Sequence, residues 1–419
     1  MLVQAHQHVA SRVAAGLSHL PDTASAFAAT QAAWRFFNNP RISLPALVQP
    51  LHQAGREAAL ASSAAGALLV HDWSKIDYHS HTSKHDQAQL THEHDIGYEL
   101  ATALLVSALD GSPLAPMQLE LWTADTVHSS REVASPLALN HLDQILPTMQ
   151  AALTWGLDQP LVHVIDREAD SVGHYRQWDK AGFLFLVRAD DRRVLWRDDE
   201  VLLSAVAATL QAEEAFHESG PVLYHGKEVH RQVAETAVVL HRPAKKRGAD
   251  GRQREVPGPP LPLRLIVVRL RDDHGQLLAE WWLLTNSPPT LADAPTVATW
   301  YYWRWRIESY HKLLKSHGQE MEYWQQETGA AIARRLLVAA MACVVVWQLQ
   351  RATTPEAEEL KEIVTRLSGR QRKTGQATTA PALLAGLHVL LAMLSLLDHY
   401  DLDQLRRLVQ TVLPSPPTG

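Results

Sequence analysis

Apolar residues along this chain recur with two different periods. Through residues 1–60 they fall at helical spacing, in AATQAAWRFFNN and LPALVQPLHQAGREAAL. GALLVHD (66–72) then reads as a short buried strand closed by an acid. ELATALLVSALDG and MQLELWTAD follow as strands joined at the turn-like DGSP. HLDQILPTMQAALTWGL (141–157) reads as a helix, PLVHVIDREAD as a second apolar strand running into an acid, and FLFLVRADD as a third.

From 195 to 285 the character changes. VLYHGKEVHRQVAETAVVLHR and PLRLIVVRLRDDHGQLLAEWWLLTN alternate like antiparallel strands, with DDHG at a hairpin. Between them PAKKRGADGRQREVPGPP predicts a mobile loop. Residues 291–351 return to a helical period. A polar break, TTPEAEELKEIVTRLSGRQRKTGQATTAP, leads to a leucine-rich helical pair over 381–412 and a frayed tail, LPSPPTG. The expectation is an α/β fold in five parts: a helical region 1–60, an α/β core 61–194, a β-rich insertion 195–285, a return to the core at 286–352, and a helical region 353–419 that is a candidate dimer contact.

Length and composition narrow the class. At 419 residues the chain exceeds a single core, and 46% hydrophobic with 20% charged residues is globular. A net charge of −6 argues against nucleic-acid coating by bulk charge, while leaving room for a local basic groove. The one cysteine, Cys343, lies inside LLVAAMACVVVW and reads as a core residue, so no disulfide framework is expected. The N-terminal sequence lacks a signal-peptide core, and the apolar run 336–347 is shorter than a bilayer span. A cytoplasmic setting without membrane contact is the expectation.

Three acids carry the candidate chemistry. Asp72 and Asp166 each end an apolar strand, where open α/β sheets gather their ligands. Each has a plain alternative as a turn former or helix cap, and Asp77, Glu168 and Asp170 compete with them nearby. Glu308 lies in YYWRWRIESYHKLLKSHG (301–318), where a continuous helix would put Tyr301, Arg304, Glu308, Lys312 and Lys315 on one face. A salt-bridged solvent face is the alternative there. Three carboxylates suit a hard cation, Mg2+ or Mn2+, and two such ions about 4 Å apart would serve displacement at phosphorus.

The spacing Tyr301-x2-Arg304-x3-Glu308-x6-Lys315 resembles the Y-R-E-K signature of cut-and-paste bacterial insertion-sequence transposases. LLVHDWS and VIDREAD resemble that family's two aspartate motifs, and AAWRFFNNPRIS (32–43) resembles its end-binding region. The resemblance implies a ribonuclease-H-like catalytic core with an Asp-Asp-Glu triad at Asp72, Asp166 and Glu308. It also implies two divalent ions, and double-stranded DNA, both transposon ends and target, as partner of a homodimer. By the same resemblance Tyr301, Arg304, Lys312, Lys315 and Arg188 grip phosphates. Trp281 stacks a flipped base on a hairpin route, with strand-core packing as its alternative. Excision and strand transfer would follow. Rival readings are a stand-alone metal-dependent nuclease on the same core and a degenerate copy that only binds ends.

Two further features stay open. HSHTSKHDQAQLTHEH (79–94) carries five histidines and reads as a zinc site or a polar hairpin. The clusters Lys245-Lys246-Arg247, Arg252-x-Arg254 and Arg370-x-Arg372-Lys373 read as solvated loops or DNA-backbone contacts.

Overall fold

The LLV of GALLVHD is buried on both faces, which only a central strand achieves. The computed structural model describes residues 23–62, 64–137, 141–247, 252–315, 318–370 and 378–411. It places that strand, β1 (Ala67–Asp77), between an antiparallel neighbour, β3 (Ile96–Ser107), and a parallel one, β6 (Leu161–Ile165). A short β2 (Ala88–Gln89) pairs with β3, which continues outward to β4 (Pro113–Trp122) and β5 (Val127–Ser129). On the other side β6 pairs in parallel with β7 (Leu184–Ala189). The core of a ribonuclease-H-like fold is thereby present: a meander and two parallel strands joined by helical crossovers.

The strands of 195–285 continue this sheet. β15 (Leu277–Thr285) pairs antiparallel with β7, and the order runs on through β14 (Leu261–Arg271) and β11 (Lys227–Leu240). β11 also pairs with β10 (His217–Tyr224), and the far edge is formed by β8 (Arg193–Trp196) and β9 (Asp199–Leu202). The DDHG hairpin falls between β14 and β15, as its sequence predicts. Part of the expected loop 243–260 is a two-stranded ribbon, β12 (Ala244–Arg247) with β13 (Gln253–Val256).

The helices, in chain order, are α1 (Thr23–Phe37), α2 (Leu44–Leu47), α3 (Gln49–Ala61), α4 (Ile145–Ala152), α5 (Val172–Lys180), α6 (Leu203–Ala212), α7 (Ala294–Trp303), α8 (Trp305–Leu314), α9 (Gly329–Arg351), α10 (Pro355–Leu367), α11 (Ala380–Leu397) and α12 (Leu402–Gln410). They cover the two faces of the sheet, and alternating residues show it: Leu186 of β7 joins the cluster built on α3, α7, α8 and α9, while Phe185 and Val187 join the one built on α4, α5 and α6. Two helices depart from expectation. α6 lies inside the strand-rich segment. α10 forms within the expected polar break, because Thr354 caps it and Val364 buries its one apolar stripe, which EAEELKE conceals.

α9 and α11 are each long and apolar enough to cross a membrane. Most of α9 is buried in the core, and α11 packs on α10 while leaving Met393, Leu394 and Leu397 exposed. Arg334 and Arg335, to which the sequence assigns no role, are structural. Arg334 donates to the carbonyls of Phe37 and Ile42, tying the N-terminal helices to α9. Arg335 lies 4.3 Å over the Trp324 ring and donates to Gln326. Residues 1–22 of the expected helical region, Arg372 and Lys373 of the third basic cluster, and the tail 413–419 lie outside the described residues.

α10 and α11 meet backbone to side at Gly386, where an added Cβ would sit 1.7 Å from the Val364 carbonyl oxygen. Gly386→Ala is therefore expected to separate the pair at a cost of roughly 1–3 kcal/mol. Faster amide exchange in α10 and α11 would register it; unchanged protection there would show that the contact is unimportant.

Candidate active site

Parallel pairing between β1 and β6 stops at Val70 opposite Val164. Beyond that point the two strands part, and the gap receives Asp72 from β1 and Asp166 from just past β6. The strand does not end at Asp72, as the sequence implied. It runs five residues further, to Asp77, paired only with β3, and Asp72 sits opposite Thr102. Asp72 Oδ1 accepts from the Trp73 amide at 2.9 Å. Asp166 Oδ1 accepts from the Glu168 amide at 2.8 Å and caps the turn Arg167–Ala169, so the capping role and the site position coincide.

Two of the competing acids, Asp77 and Asp170, are committed elsewhere. Asp77 is exposed and pairs with His79, 2.8 Å away. Asp170 is buried, accepting from the Tyr175 hydroxyl at 2.6 Å, from the Asp190 amide at 2.8 Å and from Arg192. This network locks the turn after β6 to the turn after β7. Asp166 and Arg188 are held by those two turns, so Asp170 and Arg192 matter to the site without entering it.

Glu308 arrives from the opposite side, on α8, but not on the continuous helix expected. The helix breaks at Arg304: α7 ends at Trp303, α8 begins at Trp305, and Lys315 lies past its last turn. Arg304 keeps helical backbone angles at the junction and points inward, 8% exposed. Its Nη2 donates to Glu308 Oε1 at 2.7 Å, and its Nη1 lies 3.5 Å from Asp72 Oδ2. Tyr301, the last inward residue of α7, is buried beside it and close to Arg188 and Asp166. Six of the nine named residues thus meet: Asp72, Asp166, Glu308, Arg304, Tyr301 and Arg188. The other three do not join them. Lys315 donates to the Lys75 carbonyl and lies 3.6 Å from Glu322. Lys312 is exposed on the last turn of α8. Trp281 is 4% exposed, edge-on to Tyr301 at 5.7 Å, so core packing is the role this structure gives it. Trp305, in contrast, is 42% exposed.

Burial dominates the electrostatics. It pushes the Asp72 carboxyl up to about 6, with Arg304 and the Trp73 amide opposing and the charges of Asp166 and Glu308 adding to the rise. Burial works against the Arg304 charge, yet Tyr301, Asp72 and Glu308 hold it firmly protonated. Burial raises the Tyr301 hydroxyl, opposed by Arg304 and Arg188.

Beneath the acids, His71 and His163 share a 2.9 Å hydrogen bond, and burial pushes His71 down to about 3. The pair is neutral and adds no charge to the gap. His311, one turn after Glu308, shares a 3.2 Å hydrogen bond with Thr102, the cross-strand partner of Asp72, and is likewise neutral. The sequence signal for His71 and His163 is only a histidine inside an apolar run, which ordinary core residues share, and His311 lacks even that.

Among the described residues no three His, Cys, Asp or Glu side chains stand close enough to hold a metal. This covers the described His-rich segment, which is instead stapled in place: Lys84 donates to the carbonyls of Trp324 and Gln326, and Asp86 accepts from Tyr98 and the Gly329 amide. It covers the three acids too, because a guanidinium lies between Asp72 and Glu308. The chemistry of the donors nevertheless fits a hard divalent cation. All are carboxylates, and the gap already holds one positive group as a stand-in.

The raised Asp72 pKa has a consequence for stability whose sign can be measured. An acid at 3.8 when unfolded and about 6 when folded makes the fold less stable as pH rises through that window. Below the window there is no penalty; above it the penalty is about 2–3 kcal/mol. Asp72→Asn should therefore stabilise the metal-free protein at pH 7.5 and not at pH 3.5, as read from denaturant midpoints. An equal effect at both values would rule this account out. Asp170→Ala should instead destabilise at pH 7.5, by about 3 kcal/mol, by stranding Arg192.

Comparison with known proteins adds the following. A family profile described as Transposase DDE domain matches residues 67–345, well over half of the chain. No curated protein matches. Among solved structures, the chain is similar to a piggyBac transposase seen by cryo-EM in a synaptic complex with hairpin DNA, at 9% identity and a TM-score of 0.35. That match covers 84% of this chain and 59% of the other, less than two thirds of its length. On the extent of the profile match, the chain belongs to the transposase DDE-domain family.

Proposed function

We propose that this chain cuts and rejoins DNA, excising an insertion sequence and transferring it to a target by in-line displacement at phosphorus. The observation that carries the reading is the meeting of Asp72, Asp166 and Glu308 around Arg304, from segments about a hundred residues or more apart. Bland structural roles explain any one of these acids; they do not explain three half-buried acids gathered about one guanidinium.

In this proposal Asp72, Asp166 and Glu308 hold two divalent ions, Mg2+ or Mn2+. When bound, these would activate a water or a 3′-hydroxyl and stabilise the leaving oxygen. The chain's own residues do the rest. Arg304 and Arg188 offer fixed positive charge to the phosphates flanking the cut, with the Tyr301 hydroxyl between them. Lys312, already exposed, meets the backbone further out, and Lys315 follows once it leaves Glu322. Trp281 buttresses Tyr301 from below; a hairpin step that flips a base needs that ring to leave its packing or another ring to serve. Each end would be handled by one subunit of a DNA-bound homodimer, in the cytoplasm where the DNA lies.

The test is cleavage of DNA carrying the inverted repeats that flank the gene. Purified protein with Mg2+ should nick at the repeat ends. Asp166→Asn or Glu308→Gln should reduce the rate by about 10³-fold or more while leaving binding within a few-fold. Wild-type protein that binds the ends and never cuts would favour a degenerate binding copy. Cutting by Asp166→Asn at the wild-type rate would refute the triad.

A further inference from the structure

Arg304 stands where two different requirements meet. Its Nη2 donates to Glu308 and its Nη1 faces Asp72, so it neutralises the acids at the centre of the gap. Its Nε–H, buried with the rest of the side chain, finds no hydrogen-bond acceptor among the described residues. A buried guanidinium with an idle donor lacks part of its natural complement, and a phosphate, which it can grip with two parallel hydrogen bonds, would supply it. The residue also sits at the one-residue junction between α7 and α8.

From this geometry we infer that Arg304 is a placeholder cation, which leaves Asp72 and Glu308 when a DNA phosphate engages it and so couples phosphate binding to the uptake of a divalent ion. The inference rests on the reading that these acids hold metal. Its physical core is charge crowding. A divalent ion entering while the guanidinium remains would place three positive charges within a few ångströms, in a site screened poorly by water. A phosphate that draws the guanidinium outward leaves the carboxylates uncompensated, and their affinity for a hard cation rises. Linkage makes the effect reciprocal: metal bound first expels Arg304 and raises the affinity for phosphate by the same factor. The free protein is thereby kept from loading metal, and from cutting, before DNA is in place.

The experiment measures Mn2+ binding to the full-length protein by the paramagnetic resonance of the unbound ion. It is run with and without a short duplex of arbitrary sequence at low salt, after subtracting Mn2+ held by the duplex alone. Without DNA, Arg304→Gln should bind Mn2+ about ten-fold tighter than wild type, and Arg304→Lys, which keeps the charge, should stay near wild type. The duplex should tighten Mn2+ binding by about ten-fold in wild type and much less in Arg304→Gln. If Arg304→Gln binds no tighter while Glu308→Gln weakens binding, the metal site stands and the placeholder role falls. If Glu308→Gln leaves Mn2+ binding unchanged, the metal reading itself falls. A duplex that does not alter Mn2+ affinity in the wild-type protein overturns the inference even where a variant fails to fold.

Discussion

One guanidinium keeps this structure's central gap from flying apart. Three acids converge where β1 and β6 separate, and at Asp72 burial makes the charge expensive, pushing its carboxyl up to about 6. Arg304 lies against two of them and is held charged by that company. Tyr301, Arg304 and Glu308 keep the stripe that their spacing predicts, across the junction of α7 and α8, and face the gap. Lys312 at the exposed end of α8 and Lys315 past its last turn do not.

Around that gap the supports are neutral or already paired. His71 and His163 join the two strands without adding charge, and His311 fastens the glutamate helix to the strand facing Asp72. Asp170 is fully used by Tyr175, Asp190 and Arg192. The contrast separates roles among acids of one short motif: Asp166 faces the gap with one backbone donor, while its neighbour four residues on is consumed by the scaffold.

Much of this was legible from the residues. Apolar runs ending at Asp72 and Asp166 gave the parallel pair of strands, because a strand buried on both faces leaves an unmistakable run such as LLV. The spacing around Glu308 singled out the third acid. What stayed hidden has physical causes. The break at Arg304 has no glycine or proline to announce it; both flanking segments favour helix. α10 was hidden by charge density, since one buried valine suffices to seat it. Trp281 and Trp282 are adjacent and alternate across a strand, so sequence alone could not say which ring is in the core. The supporting histidines look like any core residue until their partners, such as His163 for His71, are seen in space.

The strands of 195–285 hydrogen-bond directly onto β7, and Glu308 follows them in the chain. During synthesis, Asp72 and Asp166 leave the ribosome well before the glutamate, separated from it by the segment that must add at the sheet's edge through contacts distant in sequence, which form slowly. A nascent or truncated polypeptide halting anywhere in that stretch carries two of the three acids and no Arg304. The order of the gene thus makes the gathering of the three acids a late event in translation.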